Sequence, residues 1–274
     1  MNQQRPAFET AMTPRVLYHY TSPHAALAIL QSGTLRASMI HYMNDAREFQ
    51  YAIELAHEVV SEELRNASGD EDAQRACSEF LTKVRRLAVF ATSFSSEDDD
   101  LSQWRAYCPV DGGHALEFDG ARLHALAENT GFTLRPCIYE RDKQIEALRP
   151  LVRRLIRFTS SSSIAEWAEG YEAFVEEIAL VGAQLKDPAF GSEREWRLIA
   201  GPRKQEVLFR ANRALIVPYI ELKLAAEPSP LTGVLVGPHR HPELATRSVH
   251  LVTAQRFRWP IRVRESPIPY RSLE

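Results

Sequence analysis

Apolar and polar positions along the chain follow two periods, and they mark out its elements in order. Leu17-Tyr18-His19-Tyr20-Thr21 reads as a strand and Ala25-Ala26-Leu27-Ala28-Ile29-Leu30 as a short helix. Gly33 reads as a turn and Thr34-Leu35-Arg36-Ala37-Ser38 as a second strand. Residues 1–14, with Pro6 and Pro14 and little pattern, form a loose lead-in. Phe49, Ala52, Ile53, Ala56, Val59, Val60 and Leu64 recur at helical spacing, with Asp45 as N-cap and Ala67-Ser68-Gly69-Asp70 as the closing turn. A further helix over 73–86 puts Cys77, Phe80, Leu81 and Val84 on one face.

The continuous apolar run from Leu87 to Phe94 predicts a buried strand, followed by an acidic loop over 95–100. Residues 101–107 form a short helix that Pro109 and Gly112-Gly113 end. His114–Phe118 and Phe132–Tyr139 are strands joined by a helix over 121–129. Lys143–Phe158 is a basic amphipathic helix. After the Ser160–Ser163 loop, Ile164–Leu185 carries Trp167, Tyr171, Phe174, Val175, Ile178 and Val181 at helical spacing. Strands follow at 195–200, 206–209, 215–218 and 231–236, then a helix over 242–253 and a strand at 261–263. Helices and strands mix without regular βαβ alternation, which predicts an α+β fold. The helical pair, about 142–186, reads as an insert on the strand core of a single domain spanning 15–274.

Composition narrows the function classes. The chain has 274 residues, 45% hydrophobic and 25% charged, with a net charge of -3 and a pI of about 6.3. A general polyanion-binding surface is not expected, although a local basic patch is compatible with these values. Cys77, Cys108 and Cys137 are widely spaced and odd in number, which points to a reducing cytoplasm rather than a disulfide framework. No apolar run approaches the roughly 20 residues a membrane span needs, so a cytoplasmic protein is expected. Phosphate-loop, H-E-x-x-H, C-x-x-C and G-x-S-x-G motifs are absent. His239-Arg240-His241 has metal-ligand residue types, but beside Pro238 and Pro242 it reads as an exposed loop, and no metal is expected.

Three places carry candidate chemistry. His19 lies on the strand face opposite Tyr18 and Tyr20, beside Thr21; alone it reads equally as a strand histidine satisfied by backbone. Ser93 and Ser95 end a buried strand, with Trp104 and Tyr107 three apart on the next helix, where the rings either line a pocket or fill the core. Glu193, Glu195 and Arg197 would share one face of a strand. Two carboxylates there repel unless a cation or ligand answers them, and Arg197 alone could be that cation in a purely structural pair.

Taken together, L-Y-H-Y-T from Leu17, S-G-T-L-R-A-S from Ser32, Asn44-Asp45 with Glu48, F-S at Phe94 and W-R-A-Y at Trp104 resemble a mainly bacterial family, the domain-of-unknown-function 2971 family. So do G-x-A-L-E-F from Gly113, F-x-x-E-x-E-W-R from Phe190, V-G-P from Val236 and S-P-I-P-Y-R from Ser266. The order of these motifs is similar, more distantly, to the ADP-ribosyltransferase fold and to DarT-like toxins. That resemblance implies a split mixed or antiparallel β core and NAD as substrate. It departs from that pattern at the middle motif, where Trp104-x-x-Tyr107 stands in for the usual tyrosine spacing.

The resemblance assigns roles to these residues. Glu195 first, or Glu193, would stabilise the oxocarbenium-like charge as the nicotinamide–ribose bond breaks. His19, with Tyr20 and Thr21, would position the dinucleotide. Tyr107 or Trp104 would stack on nicotinamide, Ser93 or Ser95 would line the pocket, and Arg36 or Arg105 would face pyrophosphate. The expected activity is ADP-ribosyl transfer or NAD glycohydrolysis in a defence or toxin-like role, with a nucleic acid or protein as acceptor. A metal-dependent nuclease using Glu193, Glu195 and His19, and a non-enzymatic nucleotide- or partner-binding module, are the alternatives.

Overall fold

A computed structural model describes residues 12–43, 48–66, 71–110, 112–160, 164–201, 206–212 and 214–269. The Asp45 cap with Asn44, the Ala67–Asp70 turn, the centre of the Ser160–Ser163 loop, the side chains of Glu48 and Trp167, and Tyr270 with Arg271 lie outside the described residues. Ten strands form one sheet: β1 Val16–Thr21, β2 Thr34–Met39, β3 Phe90–Ser95, β4 His114–Asp119, β5 Thr133–Pro136, β6 Glu195–Ala200, β7 Leu208–Ala211, β8 Ile216–Lys223, β9 Leu231–Val236 and β10 Arg262–Glu265. The helices are α1 Pro23–Ser32, α2 Glu48–Asn66, α3 Glu71–Val84, α4 Leu101–Tyr107, α5 Gly120–Thr130, α6 Arg141–Ser160, α7 Ile164–Gly182 and α8 Pro242–Arg256. The fold is α+β, and the sheet is mixed: β10 pairs with β9 in parallel, and the other strand pairs are antiparallel.

The sheet divides at β3. One edge of β3 pairs with β6 along its whole length, from Phe90 opposite Ala200 to Ser95 opposite Glu195. The other edge is shared: β2 meets it at Phe90 and Ala91, and β1 meets it at Ser95. Between those contacts Thr92, Ser93 and Phe94 face no strand, so β1 and β2 splay apart on either side of a gap. The crossover β1–α1–β2 straddles β3. Ser22 caps α1 by accepting from the Ala25 amide, and Gly33 closes it at φ 66, the left-handed conformation that costs glycine least.

Residues directly opposite each other in paired strands project to the same side. Tyr18, Ser38, Ser93, Ser95, Glu195 and Arg197 therefore share one face. Leu17, Leu35, Phe94, Leu116, Trp196 and Leu198 lie on the other, buried in a core that includes residues of α1, α5 and α8. Each such side chain contributes about 1.5–3 kcal/mol of apolar burial. The first face is covered in part by α2, α3, α6 and α7, whose Phe49, Val60, Leu81, Val152, Phe174 and Ile178 share a core with Ile199 of β6. It is covered elsewhere by Trp104 of α4 on Tyr18, Tyr20, Ala115 and Leu235.

Several expectations change in three dimensions. The strand expected over 132–139 shortens to Thr133–Pro136: Pro136 has no N–H to extend the ladder, and the amides of Cys137 and Ile138 turn to Glu195 O and Gln184 O. The strand expected from Leu87 begins at Phe90, after a turn through Arg85–Leu87. The strand expected at 215–218 runs on to Lys223, because β2 supplies a partner as far as Thr34. The helices α6 and α7 share one core with α2 and α3.

Candidate functional site

The gap in the sheet opens into a cleft of about 1070 Å³. Its walls come from β1, α1, β2, the unpaired stretch of β3, α4 and the segment around β6. His19, Tyr20, Thr21, Arg36, Ser93, Ser95, Tyr107, Glu193 and Glu195 all line it, although they are far apart in sequence.

At one end lies an ionic cluster. Glu195 opens β6 and is 4% exposed. Arg197, two residues on and on the same face, donates to it through Nε at 2.7 Å and Nη2 at 3.0 Å. Lys186 Nζ donates to the same carboxylate at 2.6 Å. Burial pushes the Glu195 carboxyl upward, but the guanidinium of Arg197 and the ammonium of Lys186 outweigh it and hold the pKa at about 2. Glu195 is thus a carboxylate whose oxygens are largely committed to protein donors.

Glu193 is placed differently from the sequence expectation. It ends a short 3-10 helix, Pro188–Glu193, and does not continue the strand. Arg194 stands between them at φ 43, a left-handed residue that breaks the alternation a single strand would have imposed. Glu193 Oε2 accepts from Lys186 Nζ at 2.7 Å and from the Tyr107 hydroxyl at 2.9 Å. No hydrogen bond to its Oε1 is found among the described residues, and Glu193 lines the cleft. Burial raises the Tyr107 pKa, with the neighbouring carboxylates adding to it, so this phenol stays a donor.

Lys186 was not legible as a site residue in the sequence. It is 3% exposed and follows α7 in a stretch without motif or periodicity. Its backbone is clamped: the amide donates to Ile138 O, and the carbonyl accepts from Gln144 Nε2 at 2.7 Å. Gln144 is fully buried and accepts from the Tyr51 hydroxyl. Tyr139, also unassigned from sequence, accepts the Glu195 amide at 2.8 Å.

His19 occupies the gap itself. Its Nδ1 donates to the Ser93 carbonyl at 2.9 Å, satisfying an acceptor the split leaves without a strand. Its ring lies 5.7 Å from that of Phe94. Burial lowers its pKa, so the ring is neutral. A carbonyl can only accept, which fixes the proton on Nδ1 and leaves Nε2 as an acceptor. Alternation along β1 places His19 on the face opposite Glu195, and the two meet only through the gap.

Other expected residues are spent on structure. Ser95 Oγ donates to Glu193 O and accepts from the Glu97 amide. The Tyr20 hydroxyl bonds Glu97 O and the Asp100 amide, and Thr21 O accepts from the Cys108 thiol. Trp104 does not line the cleft: its ring packs edge-on to Tyr20 at 4.7 Å, its Nε1 donates to Asp99 at 2.8 Å, and it fills the space over Gly237. Of the two rings only that of Tyr107 belongs to a residue lining the cleft. Arg36 lines the cleft and Arg105 does not. The His239 ring covers Gly112, and its Nδ1 accepts the His241 amide, so the histidine pair belongs to a loop away from the cleft. Among the described residues no helix is long and apolar enough to cross a membrane.

No curated protein and no solved structure matches the chain. Residues 103–198, which run from α4 through the ionic cluster to the middle of β6, match a family model described as Protein of unknown function (DUF2971). The segment that is similar to this family is the one that supplies Tyr107, Lys186, Glu193, Glu195 and Arg197.

Proposed function

We propose that the cleft binds NAD and breaks its nicotinamide–ribose bond, passing the ADP-ribosyl group to water or to an acceptor on a nucleic acid or protein. The observation that carries this reading is the divided Glu193 carboxylate. Its Oε2 is fixed by Lys186 and Tyr107, its Oε1 accepts from no described residue, and Glu193 lines a cleft that also holds His19 and Arg36.

The bond between the anomeric carbon and the pyridinium nitrogen breaks, and its electron pair neutralises the ring. The ribose is left as an oxocarbenium-like cation, which water or the acceptor then attacks with loss of a proton. A carboxylate beside the ribose hydroxyls orients the sugar and stabilises that charge. Glu193 takes this role in preference to Glu195, whose oxygens already serve Arg197 and Lys186. The Lys186 bridge positions Glu193 and relieves the repulsion between the two carboxylates. His19 Nε2 accepts from a ribose hydroxyl, Tyr107 offers a ring to nicotinamide, and Arg36 faces phosphate. A metal-dependent phosphodiester hydrolase is less well supported, because the Lys186 ammonium lies between the carboxylates where a divalent cation would be needed. The reading carries with it a cytoplasmic setting and a role in defence or toxin-like modification.

The test is nicotinamide release from labelled NAD by wild type, Glu193→Gln and His19→Ala. Each substitution lowers the rate at least about tenfold, the equivalent of about 1.4 kcal/mol of lost transition-state or positioning contact. Equal release from all three proteins overturns the assignment, and phosphodiester cleavage abolished by EDTA replaces it with the hydrolase.

A further inference from the structure

The cleft does not end at the carboxylates. The sheet face that carries Ser93 and Glu195 continues past the gap onto β2, β8 and β7. Ser38 stands opposite Ala91 of β3 on one side and opposite Tyr219 of β8 on the other, and Tyr219 is opposite Leu208 of β7. By alternation Arg36 and Arg210 project to this same face. Both line the cleft, as does Ser38.

Neither guanidinium is consumed by the protein. Arg36 lies 4.8 Å over the Tyr219 ring, which holds its plane, and its Nε reaches Glu221 at 3.4 Å with the side chain 46% exposed. A pair that long and that exposed leaves the two terminal nitrogens free for a ligand. Arg210 Nη2 donates to Ser38 Oγ at 3.3 Å, which draws the β7 guanidinium toward β2. Among the described residues this wall carries the Arg36 and Arg210 guanidiniums against the Glu221 carboxylate, in a chain whose net charge is -3. The opposite end presents Glu193. There the two carboxylates are balanced by Lys186 and Arg197, so the cationic wall on β2 and β7 is the end that selects for an anionic group. The levels of Ser38 and Glu195 are set by Ala91 and Ser95, four residues apart on β3, or about 13 Å.

We infer that Arg36, Arg210 and Ser38 form a phosphate subsite, with Tyr219 as its floor, and that it takes the phosphate chain of a nucleotide. The planar donors match phosphate oxygens in bidentate fashion. The direction of the bound nucleotide, phosphates on β2 and glycosidic bond at Glu193, rests on the reading proposed above; phosphate binding itself does not.

Calorimetric titration separates the two. ADP, adenosine and inorganic pyrophosphate are titrated into wild type and the double variant Arg36→Gln/Arg210→Gln. Circular dichroism and the unfolding midpoint check that each variant is folded, and Arg36→Lys with Arg210→Lys serves as the milder second variant. The expected result is that ADP binds at least about tenfold more tightly than adenosine. The double Gln variant loses at least that factor for ADP, and the Lys variant loses part of it. ADP affinity unchanged in the double Gln variant overturns the inference even if NAD is turned over. Arginine-dependent ADP binding without NAD turnover upholds it while the glycosidic reading falls. Arginine-dependent binding of a single-stranded oligonucleotide with no ADP binding overturns the nucleotide assignment.

Discussion

Glu193 and Glu195 are two residues apart, and their environments separate their roles. Glu195, Arg197 and Lys186 are almost fully desolvated and satisfy one another. Glu195→Gln would leave the Arg197 guanidinium buried without its counter-charge, a loss of about 3–5 kcal/mol. Glu193 is somewhat more exposed, and Glu193→Gln, which leaves the Lys186–Glu195 pair intact and keeps an acceptor oxygen, is expected to cost less, about 1–3 kcal/mol. Urea unfolding of both variants checks the difference; equal losses would mean the cluster does not divide this way. The Glu195 pKa of about 2 lies below its ordinary 4.5. The unfolded chain therefore takes up this proton first. The stabilisation is whole above pH 4.5 and is lost as pH falls toward 2.

His114 behaves in the opposite chemical sense with the same outcome. Burial, and then the neighbouring His239, lower its pKa from 6.5 to about 4. Its buried Nδ1 has no hydrogen-bond partner among the described residues. Between these values the unfolded chain binds a proton that the folded chain does not, so acid weakens the fold. The unfolding free energy should fall by about 1–2 kcal/mol more between pH 7 and pH 5 in wild type than in His114→Gln. The same slope in both proteins would remove His114 from the account.

At the scale of elements, α4 links two parts of the site. Its Trp104 ring is seated over Gly237 at the end of β9, and its last residue, Tyr107, bonds Glu193. A Cβ at Gly237 would approach the indole to 2.7 Å and Gly113 O to 3.1 Å. Gly237→Ala should therefore destabilise the protein by about 1–3 kcal/mol through overpacking, read as a lower thermal midpoint. An unchanged midpoint would show that α4 moves freely on the sheet. The helix was legible in Leu101–Tyr107, because Asp100 caps it and its residues are local neighbours. Which of its two rings faces a ligand was not legible, since the spacing of Trp104 and Tyr107 puts both on one side and only packing against β1 and β9 separates them.

Across the whole molecule, helices α6 and α7 complete a core that α2 and α3 cannot close alone. They also deliver Gln144 and the chain leading to Lys186, the two side chains that anchor the ionic cluster. Replacing 142–182 by a short linker should expose the apolar faces of α2 and α3, abolish cooperative unfolding and increase binding of an apolar dye. A deletion protein with a sharp, wild-type-like transition would show that the rest of the fold closes without the helical pair.

The amino-acid sequence by itself determined the type and order of nearly all these elements, and it brought forward His19, Glu193, Glu195 and Tyr107. Periodicity, capping and turn chemistry act between near neighbours, and a reader of the chain has those neighbours in hand. Tertiary structure alone decided that β1 and β2 part across β3, that Trp104 is core, and that Arg194 turns Glu193 out of the strand. It alone brought Lys186, from a stretch without pattern, to hold both carboxylates. Those outcomes depend on burial and on charges meeting across the fold, where a desolvated carboxylate must find its cation wherever the chain can supply one.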